Sequence, residues 1–217
     1  MPRRPTPTRD TCTHVTIRCN NKDFLLNLSR NYDGIISWLA SLPYYFNVRI
    51  HHFVIMSNHI HLLVTPQNDD FGVAMSYCLT NLAKFLNHKN KRINHVFGNR
   101  YCPSIITKES HLINVIRYIY QNPVRAGITS NYMKYRYSSL GFYLSLWNDG
   151  IPIYPDPITK NFFNQGIDGH EQWIQILQKS LVENDVAQVR NSLARYRFRF
   201  SIRQLKAMTD YETTLNV

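Results

Sequence analysis

The sequence predicts an α+β fold in which an antiparallel four-stranded sheet carries two helices on one face. Apolar residues alternate in four short segments, as in half-buried strands, and recur at helical spacing in the segments between them. The 217 residues suffice for one well-buried domain with a substantial extension, or for two small domains. A composition that is 44% hydrophobic and 13% aromatic is typical of globular proteins and argues against disorder.

The elements follow one another in the order β-α-β-β-α-β-α. Strands are predicted at 12–19, 44–56, 59–65 and 102–107, and helices at 24–42, 73–88 and 109–121. Pro43 is expected to stop the first helix, and Ser57-Asn58 to form the tight turn between the second and third strands. The first six elements match the split, ferredoxin-like βαββαβ arrangement, which places the third strand at the centre of the sheet.

Four segments are predicted along the chain. Residues 1–10 form a flexible basic arm, and residues 11–148 form the main domain, with the third helix added to the sheet. Residues 149–169 are rich in Pro and Gly and are expected to be a linker. Residues 170–217 are a basic helical extension, with a helix predicted at 171–193.

The charge of the chain favours a polyanionic partner. Twenty-five Lys and Arg against 14 Asp and Glu give a net charge of +11, which suits phosphate neutralisation and nucleic-acid binding. The four cysteines show no C-x-x-C spacing, so reduced thiols in a cytoplasmic protein are expected rather than a zinc site or a disulfide framework. No signal peptide or membrane span is predicted, which places the protein in the cytoplasm, associated with a bacterial nucleoid.

Two imidazoles stand two residues apart in the third strand. Side chains alternate across a strand, so His59 and His61 share one face and could bind a divalent cation together. A pair of ligands is half a metal site, and a third ligand must come from elsewhere. His51 and His52 are adjacent and point to opposite faces, which favours surface or DNA contacts over joint chelation.

The third helix supplies the missing chemistry. Tyr118 and Asn122 are four residues apart and lie on one helical face, whereas Tyr120 points elsewhere and is expected in the core or at a dimer contact. Pro123 is expected to end the helix at Asn122, whose amide oxygen would suit Mg²⁺ or Mn²⁺ beside two imidazoles. The Tyr118 phenolate would attack a phosphodiester and keep a 5′-phosphotyrosine link, so the break can be resealed without ATP.

Basic residues interspersed with aromatic ones predict surfaces for single-stranded nucleic acid. The first set is Lys84, Lys89, Lys91, Arg92, Arg100 and Tyr101, and the second, in the tail, is Arg195, Arg197 and Arg199. An ordinary solvated face is the alternative for the first set, and an edge strand protected by its charge is the alternative for the second. Arg125 would either bind a phosphate or cap the preceding helix.

Several motifs resemble those of the single-tyrosine HUH transposases. The resemblance covers roughly residues 11–145 and rests on Met56–Val64, Phe97–Tyr101, Tyr118–Gly127 and Tyr137–Ser139. The run Asn-Pro-Val-Arg-Ala-Gly is similar to the REP-associated branch of the insertion-sequence-200-like group. The resemblance implies that His59, His61 and Asn122 hold the metal, that Tyr118 is the nucleophile, and that homodimers cleave beside hairpins in single-stranded DNA.

The chain departs from the resembled pattern at two places. Ser57 stands where these proteins commonly have proline, and 181–217 lacks their glycine-, arginine- and proline-rich ending. Two other functions compatible with the same fold are a domesticated nuclease with a host role and a catalytically silent nucleic-acid-binding module.

Overall fold

A single antiparallel sheet forms the centre of the computed structural model, which describes residues 6–26, 28–179, 181 and 183–194. Its strands are β1 (Thr13–Arg18), β2 (Val48–Ile55), β3 (His59–Pro66) and β4 (Cys102–Ile105). Their spatial order is β2-β3-β1-β4, and every pairing is antiparallel. The predicted ferredoxin-like fold is confirmed, with β3 in the interior of the sheet.

Seven α-helices occur in the described part of the chain. They are α1 (Leu28–Phe46), α2 (Phe71–Lys89), α3 (Glu109–Arg125), α4 (Leu140–Tyr143), α5 (Pro157–Asn164), α6 (Gly166–Gln178) and α7 (Glu183–Leu193). None of these described helices is long and apolar enough to span a membrane. Helix α1 packs against α2 and β2, whereas α3 packs against β2 and β3.

Both faces of the sheet are covered. Successive residues of β3, from Ile60 to Val64, are all buried, and a strand directs successive side chains to opposite faces. His61 lies on the face that carries α3, since its ring contacts the ring of Tyr118. The pair His59 and His61 is therefore held on a stiff central strand beneath the third helix.

Two prolines lie inside helices that were expected to end before them. Helix α1 continues through Pro43 to Phe46, and α3 continues through Pro123 to Arg125. Each proline lies in the last turn, where the helix loses only one intrahelical hydrogen bond. In α3 the side chains of Asn122 and Arg125 both donate to the Tyr118 carbonyl oxygen, which stabilises this final turn. The predicted helix ends at 42 and 121 were wrong for this reason.

The segment 149–169 is folded, although its composition predicted a linker. It contains α5 and the start of α6. Pro157 begins α5, and the Asp156 carboxylate accepts hydrogen bonds from the amides of Ile158 and Thr159 as the N-cap. The single helix predicted at 171–193 is divided into α6 and α7.

Asp156 also ties this segment to the sheet through a buried network. Its carboxylate lies 2.7 Å from Nε2 of His52, and Nδ1 of His52 lies 2.6 Å from the Tyr120 hydroxyl. Tyr120 in turn contacts the Ser139 hydroxyl at 3.0 Å, and all four side chains are buried. The network confirms Tyr120 as a core residue and shows that the expected surface position of His52 was wrong.

His51 is buried as well, which also contradicts the expected surface position. Its Nδ1 lies 2.6 Å from the Tyr154 carbonyl oxygen, and its Nε2 lies 2.8 Å from the Thr65 hydroxyl. A β-bulge between Ile50 and His52 disturbs the simple alternation of β2 at this point. Both histidines therefore serve as hydrogen-bonding residues of the interior.

Candidate active site

His59 and His61 form the histidine pair of β3. Their ring centroids are 5.0 Å apart and their planes nearly perpendicular. Burial, assisted by Arg18, lowers the pKa of His59 to about 4. Burial, with the neighbouring His14 and His59, lowers the pKa of His61 well below its usual value. Both rings are therefore neutral near pH 7, which is the form that binds a metal ion.

Asn58 fixes the protonation of His59. Its side-chain nitrogen donates to the Lys22 carbonyl oxygen at 2.9 Å, so its oxygen is the atom 2.6 Å from Nδ1 of His59. An amide oxygen can only accept, and Nδ1 of His59 therefore carries the proton. The Nε2 lone pair of His59 is left free for a cation, and Asn58 orients the ring in the way outer-shell partners do in metal sites.

Tyr118 lies against the second histidine of the pair. Its ring centroid is 5.6 Å from that of His61 in an edge-on arrangement, and the residue is 5% exposed. The Arg125 guanidinium lies 4.7 Å from the centroid of the Tyr118 ring, and its Nη2 donates to the Tyr118 carbonyl oxygen at 2.6 Å. The helix-capping role weighed for Arg125 is thus observed, while its Nε and Nη1 are buried and have no hydrogen-bond partner among the described residues.

One of the two polar side-chain atoms of Asn122 makes a hydrogen bond within α3. Its Nδ2 donates to the Tyr118 carbonyl oxygen at 2.8 Å, which leaves Oδ1 as the atom that can act as a ligand. The described residues contain no group of three or more His, Cys, Asp or Glu placed to hold a metal. The predicted ligand set for Mg²⁺ or Mn²⁺ thus comprises two neutral imidazoles and one amide oxygen. The third-ligand role of Asn122 stays a prediction.

A cleft of about 930 Å³ opens over His61 and Tyr118. Its charged lining, among the described residues, consists of cations alone: Arg18, Lys22, Arg100 and Arg190. The same described lining includes the aromatic ring of Tyr101 and the amides of Asn20, Asn21 and Asn99. Cationic groups neutralise phosphates, and aromatic rings stack on bases, so the cleft has the chemistry of a single-strand binding channel.

The structure separates the predicted nucleic-acid-binding residues into groups. Arg100 and Tyr101 line the cleft, and Arg125 lies against Tyr118. Lys84, Lys89 and Lys91 are exposed but do not line the cleft, and Arg92 is partly buried. Arg195, Arg197 and Arg199 lie outside the described residues. Among the described residues of this set, only Arg100, Tyr101 and Arg125 lie close to Tyr118, the predicted nucleophile.

Two cationic residues of the cleft, Arg18 and Lys22, were not singled out by sequence reasoning. Arg18 pairs with His59 across the sheet, and Lys22 follows in the adjoining turn. The alternation of β1, with His14, Thr16 and Arg18 on one side, was the signal for the first of them. Arg190 comes from α7, which packs on α3, and no local pattern reveals that contact.

Comparisons with known proteins agree with this arrangement. The family model described as "Transposase IS200 like" matches residues 8–122, just over half of the chain. A protein of Haemophilus influenzae, named as a REP-associated tyrosine transposase, is 30% identical over 96 residues, which cover 39% of this chain and 54% of that protein. The match thus spans about half the length of this curated relative.

One solved structure shares the fold. The structure of a REP-associated tyrosine transposase bound to a REP hairpin superposes with a TM-score of 0.55 and 19% identity, covering 69% of this chain and 88% of that chain. At this identity the likeness establishes the fold, and the family match establishes the relationship. The chain belongs to the IS200-like transposase family.

Proposed function

We propose that the chain is a REP-associated tyrosine transposase that cleaves and rejoins single-stranded DNA beside hairpins. The observation that carries the proposal is the contact between the Tyr118 and His61 rings at the floor of the cationic cleft. The names of the Haemophilus influenzae relative and of the hairpin-bound structure support the same assignment. Homodimer formation and nucleoid association stay predictions.

The chemistry follows from the residues of the cleft. Arg18, Lys22, Arg100 and Arg190 would hold the DNA backbone, with a target phosphate between His61 and Tyr118. The deprotonated Tyr118 oxygen attacks phosphorus, the bond from phosphorus to the 3′-oxygen breaks, and that oxygen leaves as a hydroxyl after gaining a proton. The 5′-phosphate remains on Tyr118, and attack by another 3′-hydroxyl reverses the step.

His59, His61 and Oδ1 of Asn122 would hold Mg²⁺ or Mn²⁺. When bound, this cation supplies Lewis-acid polarisation of the phosphate oxygens. The protein keeps both imidazoles neutral and directs Nε2 of His59 away from Asn58. It also limits the approach of water to Tyr118, which is 5% exposed. Limited access of water favours transfer to a DNA hydroxyl over hydrolysis.

Covalent capture is the direct test. The chain is incubated with single-stranded hairpin DNA labelled at the 3′ end and with Mn²⁺, and labelled protein is detected on a denaturing gel. We expect an adduct in the wild-type chain and in Tyr101→Phe, a control that keeps the aromatic ring in the same cleft, and none in Tyr118→Phe.

Two results would contradict the proposal in different ways. An adduct that persists in Tyr118→Phe would show that another residue is the nucleophile. Binding of hairpin DNA without an adduct, in either Mg²⁺ or Mn²⁺, would instead favour the catalytically silent binding module. A host-role nuclease would form the adduct but fail to join two cleaved ends.

A further inference from the structure

His14 of β1 lies directly against His61. It is 1% exposed, and its Nε2 is 3.0 Å from Nδ1 of His61. The two rings stack with centroids 5.1 Å apart and planes inclined by 28°. The contact is diagonal across the β1–β3 ladder, in which Thr16 pairs with His61 and His14 with Leu63. His14 therefore contacts Nδ1 of His61 in the same way that Asn58 contacts Nδ1 of His59.

The direction of this hydrogen bond decides what His61 can do. A neutral imidazole has one N–H and one lone pair. If Nδ1 of His61 donates to His14, the lone pair is on Nε2 of His61 and is free for a cation. If His14 donates, His61 carries its proton on Nε2 and has no lone pair left. The Thr16 hydroxyl, 3.3 Å from Nδ1 of His61, can either donate or accept and selects neither form.

The second nitrogen of His14 favours one direction in the metal-free protein. Nδ1 of His14 is buried and has no hydrogen-bond partner in the part of the chain that the structure describes. Buried orphan N–H groups are rarer than buried acceptors that lack a partner, so the proton of His14 belongs on Nε2 as long as nothing binds His61. A cation at His61 requires the reverse arrangement.

We propose that His14 is a positioning residue that sets the tautomer of His61 through a reversible hydrogen bond. Binding of a divalent cation moves the proton of His61 from Nε2 to Nδ1 and that of His14 from Nε2 to Nδ1. Each ring has one proton before and after, so the exchange is neutral. The inference rests on the proposed function, because it assumes that His61 is a metal ligand. His59 has no such freedom, since the amide oxygen of Asn58 only accepts.

The tautomers can be read directly by long-range ¹H–¹⁵N NMR of the histidine rings. We expect His61 to be protonated at Nε2 without metal and at Nδ1 in saturating Mg²⁺, while His59 is protonated at Nδ1 throughout. A His61 ring protonated at the same nitrogen in both conditions, in a protein that binds Mg²⁺, would overturn the proposal.

Metal affinity gives an independent readout. Mn²⁺ binding is measured by calorimetry, with and without hairpin DNA, on chains whose folding is checked by circular dichroism. His14→Phe, which fills the space but cannot accept, should weaken binding about 10- to 100-fold, as loss of an outer-shell partner usually does. His14→Gln, whose amide oxygen can accept from Nδ1 of His61, should restore it. His111→Phe, which removes a buried histidine from α3 outside the cleft lining, serves as the control.

The outcomes separate this inference from the function on which it rests. If the wild-type chain binds Mn²⁺ and folded His14→Phe binds it equally well, His14 has no positioning role. If the wild-type chain does not bind Mn²⁺ with or without DNA, or if His59→Ala binds it as tightly, the proposed ligand set is wrong, and the role of His14 falls with it.

Discussion

Removal of the Asp156 carboxylate should destabilise the protein strongly, although the residue lies outside the cleft. Asp156 and His52 are both fully buried, and their 2.7 Å contact is accompanied by two N-cap hydrogen bonds to α5. Removing the carboxylate leaves the buried His52 donor without its partner, which costs about 1–3 kcal/mol. Loss of an N-cap alone costs about 1 kcal/mol. Asp156→Ala removes both, and we expect the free energy of unfolding to fall by about 3 kcal/mol.

Asp156→Asn separates the charge from the cap. Asparagine can still accept from the α5 amides, so this variant loses mainly the charged contact with His52. Hydrogen bonds from His52 and Thr159, together with the charge of His52, overcome burial and lower the pKa of Asp156 from 3.8 to about 2. A change of this size corresponds to about 2 kcal/mol, which we take as the cost of the substitution.

The assay is urea denaturation followed by circular dichroism. Because the pKa of Asp156 is lowered on folding, the ionised group stabilises the protein above the unfolded-state pKa near 3.9 and loses this effect as the pH falls toward 2. The difference in the free energy of unfolding between the wild-type chain and Asp156→Asn should thus have its largest value at pH 6 and decrease as the pH falls toward 2. Asp10→Asn is the matched control, since the Arg9–Asp10 pair is exposed and should contribute less than about 1 kcal/mol. A loss below about 1 kcal/mol in Asp156→Ala would refute the reasoning.

Two further predictions concern the cleft and the response to acid. Arg190→Gln should weaken binding of single-stranded hairpin DNA and reduce the slope of log K for binding against log salt concentration by about one. Lys84→Gln, outside the cleft lining, should change the affinity and the slope less. Equal effects of the two substitutions in filter-binding assays would contradict the cleft assignment. Burial lowers the pKa of His51 from 6.5 to about 4. As the pH falls from 6.5 to 4, His51 is therefore protonated in the unfolded chain before it is protonated in the folded chain, and the free energy of unfolding should fall by up to about 3 kcal/mol. His51→Gln should flatten this part of the stability profile, and an unchanged profile would assign the acid sensitivity to other groups.

The sequence was sufficient to predict the sheet and the helix that carries Tyr118 because both depend on local periodicity. Alternation in β3 placed the two histidines on one face, and helical spacing placed Tyr118 in α3. His61 and Tyr118 lie in contact because α3, the helix after the fourth strand, packs on the face of the sheet that carries His61. The positions of β3 and α3 could thus be predicted from patterns among neighbouring residues and from the order of the strands and helices along the chain.

The features that sequence reasoning missed depend on long-range contacts. Asp156 looked like part of a linker because its partner His52 is 104 residues away. His14 had no assigned role because its function appears only when β1 pairs with β3. The prolines in α1 and α3 were misread because a proline signals the loss of a hydrogen bond, while tertiary packing decides whether the helix continues.

The burial of α3 has a consequence for which residues of the chain can change without loss of stability. Nearly every side chain from His111 to Pro123 is buried, and the outer side of the helix is held by hydrogen bonds from Arg117 and Gln121 to the carbonyl oxygens of Lys179 and Leu177. Replacements there disturb packing on two sides at once. By contrast, the cationic side chains that line the cleft, Arg18, Lys22, Arg100 and Arg190, are exposed. We therefore expect substitutions at these exposed cleft residues to cost less stability than substitutions within α3, the helix that carries Tyr118.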